Sequence, residues 1–228
     1  MKHIAIIPAR SGSKGLPDKN IKSLNGTPMI AYTIKAAVES GIYDEIMVST
    51  DSVVYAKIAK EYGANVPFLR GESLSNDSAS SWDVVRDVLT NYENMGEHFD
   101  TVTLLQPTSP LRQANDIKNS YSIFLEKNAH SVVSVCEVEH SPHLCNTLGA
   151  SLSMDGFIKE HHTGPRQQYA PQYRINGAIY MVNAEYIKAN SHLYTEGCYA
   201  YRMPKERSID IDDHMDFMIA QTILETME

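Results

Sequence analysis

The chain has 228 residues, the length of one large domain or of one domain with an excursion. With 43% hydrophobic and 21% charged residues it can build a sizeable core, which excludes bulk disorder. Its 20 basic and 28 acidic residues give a net charge of −8, and the chain has no basic run. We therefore expect no binding to nucleic acid or to an anionic membrane surface, because either needs a cationic face.

Neither a targeting segment nor a membrane span is predicted. The first apolar run, residues 4–9, contains Pro8 and stops at Arg10, so it is too short for a signal-peptide core. The three cysteines are odd in number and widely spaced, which is typical of reduced thiols and not of a disulfide framework. We expect a soluble, cytoplasmic protein.

Short apolar runs typical of buried strands alternate with stretches of helical period along the chain. Strands are predicted around residues 4–7, 46–48, 66–69, 101–105 and 178–182. Helices are predicted around residues 28–41, 53–62, 82–89, 117–124 and 217–224. This alternation predicts an α/β fold with right-handed crossovers and a mostly parallel sheet.

Polar clusters follow three of these predicted strands immediately, at residues 10–20, 49–51 and 106–112. Ligands of such sheets bind beyond the carboxyl ends of the strands. The sequence therefore predicts one functional site along one edge of one sheet.

The pattern loosens between about residues 138 and 175, where prolines and glycines are frequent. This stretch is too long for a plain loop in a compact domain. We predict a protrusion with short strands of its own, attached to a single domain that spans residues 1–228.

The loop after the first strand, residues 8–20, interleaves three cations with glycines and serines. The cations are Arg10, Lys14 and Lys19. Glycines let backbone N–H groups turn inward and form an anion-binding concavity, and the cations would neutralise a polyanion such as a triphosphate. The loop matches neither the Walker nor the dinucleotide-binding pattern. A flexible, solvated hinge is the alternative explanation.

Five blocks resemble, in order along the chain, the signatures of the CMP-sugar synthetases. They are IPARSGSKG (7–15) followed by Lys19-Asn20, VSTD (48–51), LQPTSPLR (105–112), NGAIY (176–180) and SIDID (208–212). Members of this family activate nine-carbon sialic acids, and more distantly the eight-carbon acid KDO, with CTP. The resemblance implies a three-layer fold like that of the nucleotide-diphospho-sugar transferases, with helices on both faces of a twisted, mostly parallel sheet. It also implies that residues 138–175 form a small dimerisation segment that helps to cover the substrate.

The activity implied by the resemblance is transfer of CMP from CTP to the anomeric hydroxyl of a sialic acid, with release of pyrophosphate. The partners would be CTP, a nine-carbon 2-keto sugar acid and a second copy of the chain. The same chemistry on legionaminic, pseudaminic or KDO acid is one alternative. A module that binds CTP as a sensor, without turnover, is an alternative of another class.

The resemblance assigns the nucleotide to residues near the amino end and in the first half of the chain. These residues are Arg10, Ser11, Gly12, Lys14, Lys19, Asn20, Arg70 and Ser81. Arg10 and Lys19 are also expected to act in catalysis. Ser81 lies in a stretch rich in hydroxyl groups before a helix, so a capping role remains open for it. Asp51 could orient ribose or a metal, or form a turn.

The resemblance assigns the sugar acid to residues in the second half of the chain: Gln106, Arg166, Gln167, Tyr173 and Asn176. An amide such as that of Gln106 can donate and accept at once, which suits hydroxyls and an N-acyl group. A guanidinium fork matches a carboxylate, and we favour Arg166 over Arg174 for this role. A subunit contact is the alternative role for both arginines.

Asp210 and Asp212 are the predicted metal ligands, and through the metal they would act in catalysis. If residues 209–212 are extended, the two carboxylates point to the same face while the isoleucines face the core. Hard oxygen donors of this kind suit Mg²⁺, with Mn²⁺ possible. An acidic start of the last helix explains the spacing equally well, and the resemblance favours the metal.

Overall fold

The computed structural model describes residues 1–12, 15–76, 79–158 and 170–227 and shows a six-stranded sheet with helices on both faces. The strands are β1 (His3–Pro8), β2 (Ser23–Leu24), β3 (Thr27–Pro28), β4 (Glu45–Ser49), β5 (Thr101–Leu104), β6 (Ser131–Glu137), β7 (Tyr173–Asn183) and β8 (Cys198–Arg202). The helices are α1 (Met29–Ser40), α2 (Val53–Glu61), α3 (Ser81–Asn94), α4 (Ala114–Glu126), α5 (Ala184–Ala189) and α6 (His214–Met227). In the described ranges, none of the helices is both long and apolar enough to cross a bilayer.

The main sheet has the strand order β4-β1-β5-β7-β6-β8, and β2 and β3 form a separate two-stranded ribbon. β1 pairs in parallel with β4 and with β5, so that Ile4 lies opposite both Glu45 and Val102. β7 is antiparallel to both of its neighbours, whereas β6 and β8 are parallel. Five strands therefore run in one direction, which confirms the predicted mostly parallel α/β sheet.

Burial on both faces explains the continuous apolar run of the first strand. Ala5 and Ile7 pack under α1, α2 and α4, while Ile4 and Ile6 pack on the opposite face under α3 and α5. Central strands of such sheets lack polar alternation because neither face meets water. A third apolar cluster seats α6 against the loops that follow β1 and β5.

Local signals set the helix ends, and those of α1 are as predicted. α1 starts directly after Pro28 and ends at Gly41, whose φ of 66° lies in the left-handed region that favours glycine. The Ser52 side chain caps α2, and Ser80 caps α3 in a capping box with Asp83. Ser81 is therefore the first residue of α3 and not its cap.

The strand predicted at 66–69 is wrong, and the segment 209–212 belongs to no strand. At 66–69 the chain forms no strand, and the neighbouring Asn65 makes only an isolated bridge to Met47. Residues 209–212 are irregular, although Ile211 is fully buried as expected, because a single backbone bond from Ile211 to the carbonyl of Thr108 replaces a ladder. β6, β8 and α5 were not predicted.

The stretch 138–175 differs from the predicted protrusion with its own strands. Within the described parts, 138–158 and 170–172 contain no strand and one short 3₁₀ turn, Pro142–Leu144. Residues 173–175 already belong to the central strand β7. β7 is eleven residues long because its first three residues still pair with the end of β6, as far as Glu137.

Candidate active site

A cavity of about 370 Å³ opens at the carboxyl ends of β1 and β5, the edge that the polar clusters predicted. Its lining comes from the loop after β1, from the segment before α3, from the turn after β5 and from the segment before α6. The lining residues are Pro8, Arg10, Gly15, Lys19, Asn20, Arg70, Leu74, Asn76, Ala79, Ser81, Val84, Gln106, Pro107, Thr108 and Asp212.

The basic loop near the amino end and the acidic segment near the carboxyl end are in contact in this cavity. The Lys19 ammonium donates to the carbonyl of Ile211 at 2.6 Å and lies 3.2 Å from a carboxylate oxygen of Asp212. The Gly15 backbone approaches the same segment so closely that a Cβ there would lie 2.9 Å from the Asp212 carbonyl oxygen. Glycine at this position permits the two segments to pack together.

Asp51 fixes the start of the basic loop. The main-chain N–H and the hydroxyl of Ser11 each donate to its carboxylate at 2.7 Å. Burial raises the pKa of Asp51, but the Ser11 hydrogen bonds and the nearby Arg70 outweigh burial, so the pKa lies below its usual value. Asp51 thus anchors the loop. Both Ser11 donors point toward the Asp51 carboxylate and away from the cavity.

Arg70 is a buried cation at the wall of the cavity. Its guanidinium donates to the hydroxyl of Ser49 at 3.1 Å, and also to the Ser49 carbonyl. Burial lowers the Arg70 pKa, and Arg10 adds to this while Asp51 opposes it, so that the pKa lies at about 10. At neutral pH the side chain is still charged, so Arg70 adds positive potential beside Arg10.

Asn20 and Ser81 line the cavity from two different elements. The Asn20 amide, which is 5% exposed, donates to the main-chain carbonyl of Arg10 at 3.1 Å and so holds the loop in place. Ser81 lies at the first turn of α3, where unpaired backbone N–H groups and the helix dipole favour negative charge.

Asp210 and Asp212 lie beside each other, and their burial differs. The Asp210 carboxylate is half-buried, and its Oδ1 atom is buried without a hydrogen-bond partner among the described residues. Burial raises the pKa of Asp210, and the Asp212 charge adds to this, whereas Thr108, Lys19 and Arg174 oppose it. Asp212 is exposed.

This donor set fits a hard divalent cation. An unclaimed buried carboxylate oxygen beside a second carboxylate offers two hard ligands, and Mg²⁺ completes its shell with water and phosphate oxygens. In the described part of the chain no group of three or more histidines, cysteines and acids forms a ready-made cage. The site can therefore hold Mg²⁺ when a phosphate supplies further oxygens.

Gln106 reaches the cavity from the end of β5 and packs against Gly177. Gly177 has a φ of 77°, and a Cβ there would collide with the Gln106 amide oxygen and lie 3.3 Å from an Asp210 oxygen. Only glycine suits both the backbone conformation and this close approach. Gly177 thus brings the predicted sugar-acid residue and the predicted metal ligand together.

Two other residues predicted on the sugar-acid side lie away from the cavity lining. Asn176 is 1% exposed, and its amide accepts from the Ser134 hydroxyl at 2.6 Å and donates to the Ser208 hydroxyl at 2.8 Å. Tyr173 is exposed and its hydroxyl accepts from Arg202. Lys14, Arg166 and Gln167 lie outside the described residues.

Sequence reasoning missed several lining residues. Thr108 directly follows Gln106-Pro107 in a cluster already assigned to the site, so its position was available as a signal. Asn76 belongs to the polar stretch before α3. Leu74, Ala79 and Val84 form an apolar part of the wall, for which local sequence offers no signal.

Comparison with known proteins gives a consistent result. A sequence model described as cytidylyltransferase matches residues 4–219. The chain is 45% identical to an N-acylneuraminate cytidylyltransferase of Streptococcus agalactiae over 96% of its own length but only 52% of that relative, so it spans about half of that protein. It is 38% identical to a CMP-N,N'-diacetyllegionaminic acid synthase of Legionella pneumophila, over 99% of this chain and 97% of the relative.

The fold matches that of a solved CMP:2-keto-3-deoxy-manno-octonic acid synthetase, which was determined in complex with CTP. The two chains align over the full length of both, with a TM-score of 0.75 and 15% identity.

Proposed function

Because this chain belongs to the cytidylyltransferase family, we propose that it transfers CMP from CTP to the anomeric hydroxyl of N-acetylneuraminic acid. The observation that carries the proposal is the contact between Lys19 and Asp212 at the mouth of a cavity shared with Arg10, Arg70 and Gln106. Cations on one side of the cavity and the Asp212 carboxylate on the other, with Asp210 close enough to act on Asp212 electrostatically, suit a nucleoside triphosphate with its counter-ion.

In the proposed reaction the anomeric oxygen forms a bond to the α-phosphorus of CTP as the α–β phosphoanhydride bond breaks. The sugar hydroxyl loses its proton to solvent, and pyrophosphate leaves with the bonding electrons. The protein supplies no nucleophile, so its role is to position the two substrates and to stabilise charge. Lys19, Arg10 and Arg70 would neutralise the triphosphate, and the first turn of α3 at Ser81 would add backbone dipoles.

Asp210 and Asp212 are proposed to hold Mg²⁺, or Mn²⁺ in its place. A bound divalent cation would supply charge neutralisation on the phosphate oxygens and so help pyrophosphate to leave. Lys19, bonded to Asp212 and to the backbone of the same segment, would keep that carboxylate oriented toward the phosphates.

Gln106 is proposed to bind the sugar acid through its amide, with Arg166 near the acid's carboxylate. A second candidate substrate is a legionaminic acid, because the Legionella relative named for that acid is covered almost completely by this chain. The two acids share the ring and the carboxylate, so they differ only in groups that side chains around Gln106 would distinguish.

Turnover of CTP with each free sugar acid, followed as pyrophosphate release, tests the proposal. We expect release with N-acetylneuraminic acid, loss of release in chelator, and loss in Asp212→Asn. Asp213→Asn is the matched control, since Asp213 accepts from the Met215 N–H at the start of α6 and is not among the residues that line the cavity. Release that persists in chelator would contradict the metal assignment, and CTP binding without release for any acid would favour the sensor.

We further propose a cytoplasmic homodimer. Leu144, Leu148 and Leu152, between β6 and β7, are each more than half exposed, and large apolar side chains gain free energy when a second surface covers them. The three cysteines are free, as in a reducing compartment.

A further inference from the structure

Arg112, two residues before α4, is a buried guanidinium with no role in the chemistry described so far. It is 2% exposed, and its Nη1 donates to the carbonyl of Ala178 at 2.8 Å and to the carbonyl of Gln106 at 3.2 Å. Its Nε and Nη2 are buried and have no hydrogen-bond partner among the described residues.

This arrangement is costly. A buried charge normally pairs with a carboxylate, since desolvation otherwise outweighs what neutral acceptors return. Asp116, whose charge acts on Arg112, is already bonded to Arg207 and to the Tyr201 hydroxyl, and burial lowers the pKa of Arg112 to about 10. An apolar residue of similar size would avoid the cost, so packing alone does not account for Arg112.

The two carbonyls that accept from Arg112 lie next to the contact between Gln106 and Gly177, which suggests why the guanidinium is buried here. Gln106 lines the cavity, and Ala178 directly follows Gly177, the residue against which the Gln106 amide packs. One guanidinium nitrogen thus ties the end of β5 to β7 at the point where Gln106 and Gly177 touch. The turn also closes on itself, because the Ser109 N–H donates to the same Gln106 carbonyl at 3.3 Å.

We propose that Arg112 is a positioning residue that holds the Gln106 amide against Gly177 and thereby sets its direction toward the sugar acid. The proposal rests on the proposed function, in which Gln106 binds that acid. Arg112 touches neither substrate, and it acts on the acid's binding through one side chain only.

The test compares Arg112→Lys and Arg112→Met with wild type in steady-state kinetics. We expect the KM for the sugar acid to rise about tenfold, as for a lost interaction of ordinary hydrogen-bond strength, while the KM for CTP changes less than about twofold. Arg86→Lys is the matched control, because Arg86 also donates to two backbone carbonyls, those of Ile187 and Asn190, and lies outside the cavity lining. Equal changes in both KM values, in step with a lower melting temperature, would overturn the proposal.

A double-mutant cycle and a spectroscopic measurement keep the result independent of folding and of substrate identity. In the Gln106→Ala background, Arg112→Lys should raise the acid's KM by less than about twofold further, because the residue it acts through is gone. The side-chain amide resonance of Gln106 should move in Arg112→Lys and not in Arg86→Lys, whichever acid is used. An unmoved resonance refutes the role of Arg112, whereas absence of turnover in wild type refutes the proposed function instead.

Discussion

At the scale of single residues, the site depends on side chains that join distant parts of the chain. Lys19 reaches the segment 211–212, and Ser11 is held by Asp51, forty residues later. These bonds fix the loop after β1 on two sides before any substrate arrives. Preorganised charge of this kind stabilises a transition state without reorganisation at the moment of reaction.

Replacing Lys19 by Met tests whether its charge serves the reaction or the fold. Turnover should fall by about 100-fold or more, because a charge near the phosphates is lost. The melting temperature should fall by only about 2–4 °C, since the Asp212 partner is exposed and such pairs contribute little.

Lys22→Met, which removes a cation near the Phe217 ring, is the control and should keep near-normal turnover. If the Lys19 variant loses activity only in proportion to a loss of folded protein, Lys19 serves the fold and not the reaction. Calorimetry measures the melting temperature and pyrophosphate release measures turnover, and together they decide between the two roles.

His3 gives a pH-dependent prediction away from the site. Its ring contacts the Thr101 hydroxyl and the Tyr121 hydroxyl, and burial lowers its pKa, with Asp44 and Asp100 opposing and the amino terminus assisting. Below about pH 6.5 the unfolded chain therefore binds a proton at His3 more readily than the folded chain does. The free energy of unfolding consequently falls as the pH drops through that value.

His3→Gln should consequently lose less melting temperature than wild type between about pH 7.5 and pH 5.5. His98→Gln, at an exposed position, should behave like wild type. If wild type and His3→Gln lose the same melting temperature over this pH range, His3 does not cause the pH dependence of stability.

At the scale of elements, the acidic segment before α6 has no ladder and is held by side chains. Asp116, fully buried at the start of α4, accepts two bonds from Arg207 at 2.7 and 3.1 Å. Asn176 of β7 donates to Ser208, one residue further. The irregular segment 209–212 is held in place here because α4 and β7 bond to the two residues directly before it.

Asp116→Asn should therefore lower both stability and activity. Removing one partner of a buried ion pair leaves a charge unpaired, which costs about 3–5 kcal/mol of unfolding free energy. Glu185→Gln breaks the exposed pair with Lys188 and should cost less than about 1 kcal/mol. Denaturant titration measures both, and equal losses would mean that the Asp116 pair does not anchor the segment.

At the scale of the whole molecule, the sheet and the stretch between β6 and β7 differ in how far their apolar side chains are buried. The sheet carries a buried apolar cluster on each face, whereas leucines at 144, 148 and 152 face solvent in the described chain. Exposed apolar side chains gain free energy when a second surface covers them.

The wild-type chain should therefore sediment as a dimer, and the double variant Leu148→Glu, Leu152→Glu as a monomer. Leu125→Glu, at an exposed leucine of α4, should leave the dimer intact. A wild-type monomer at all concentrations would contradict the proposed assembly.

Sequence alone determined the order of most strands and helices, the ends of α1 and α2, and the edge of the sheet that carries the cavity. These features follow from apolar periodicity and from glycine, proline and serine signals, all of which act over a few residues. Only the tertiary structure decided that β7 inserts antiparallel between β5 and β6, that Asn176 faces the interior, and that Arg112 lies buried behind Gln106. Such placements result from contacts between residues far apart in the chain, such as Gln106 with Gly177, and a local pattern carries no information on which distant backbone will meet it.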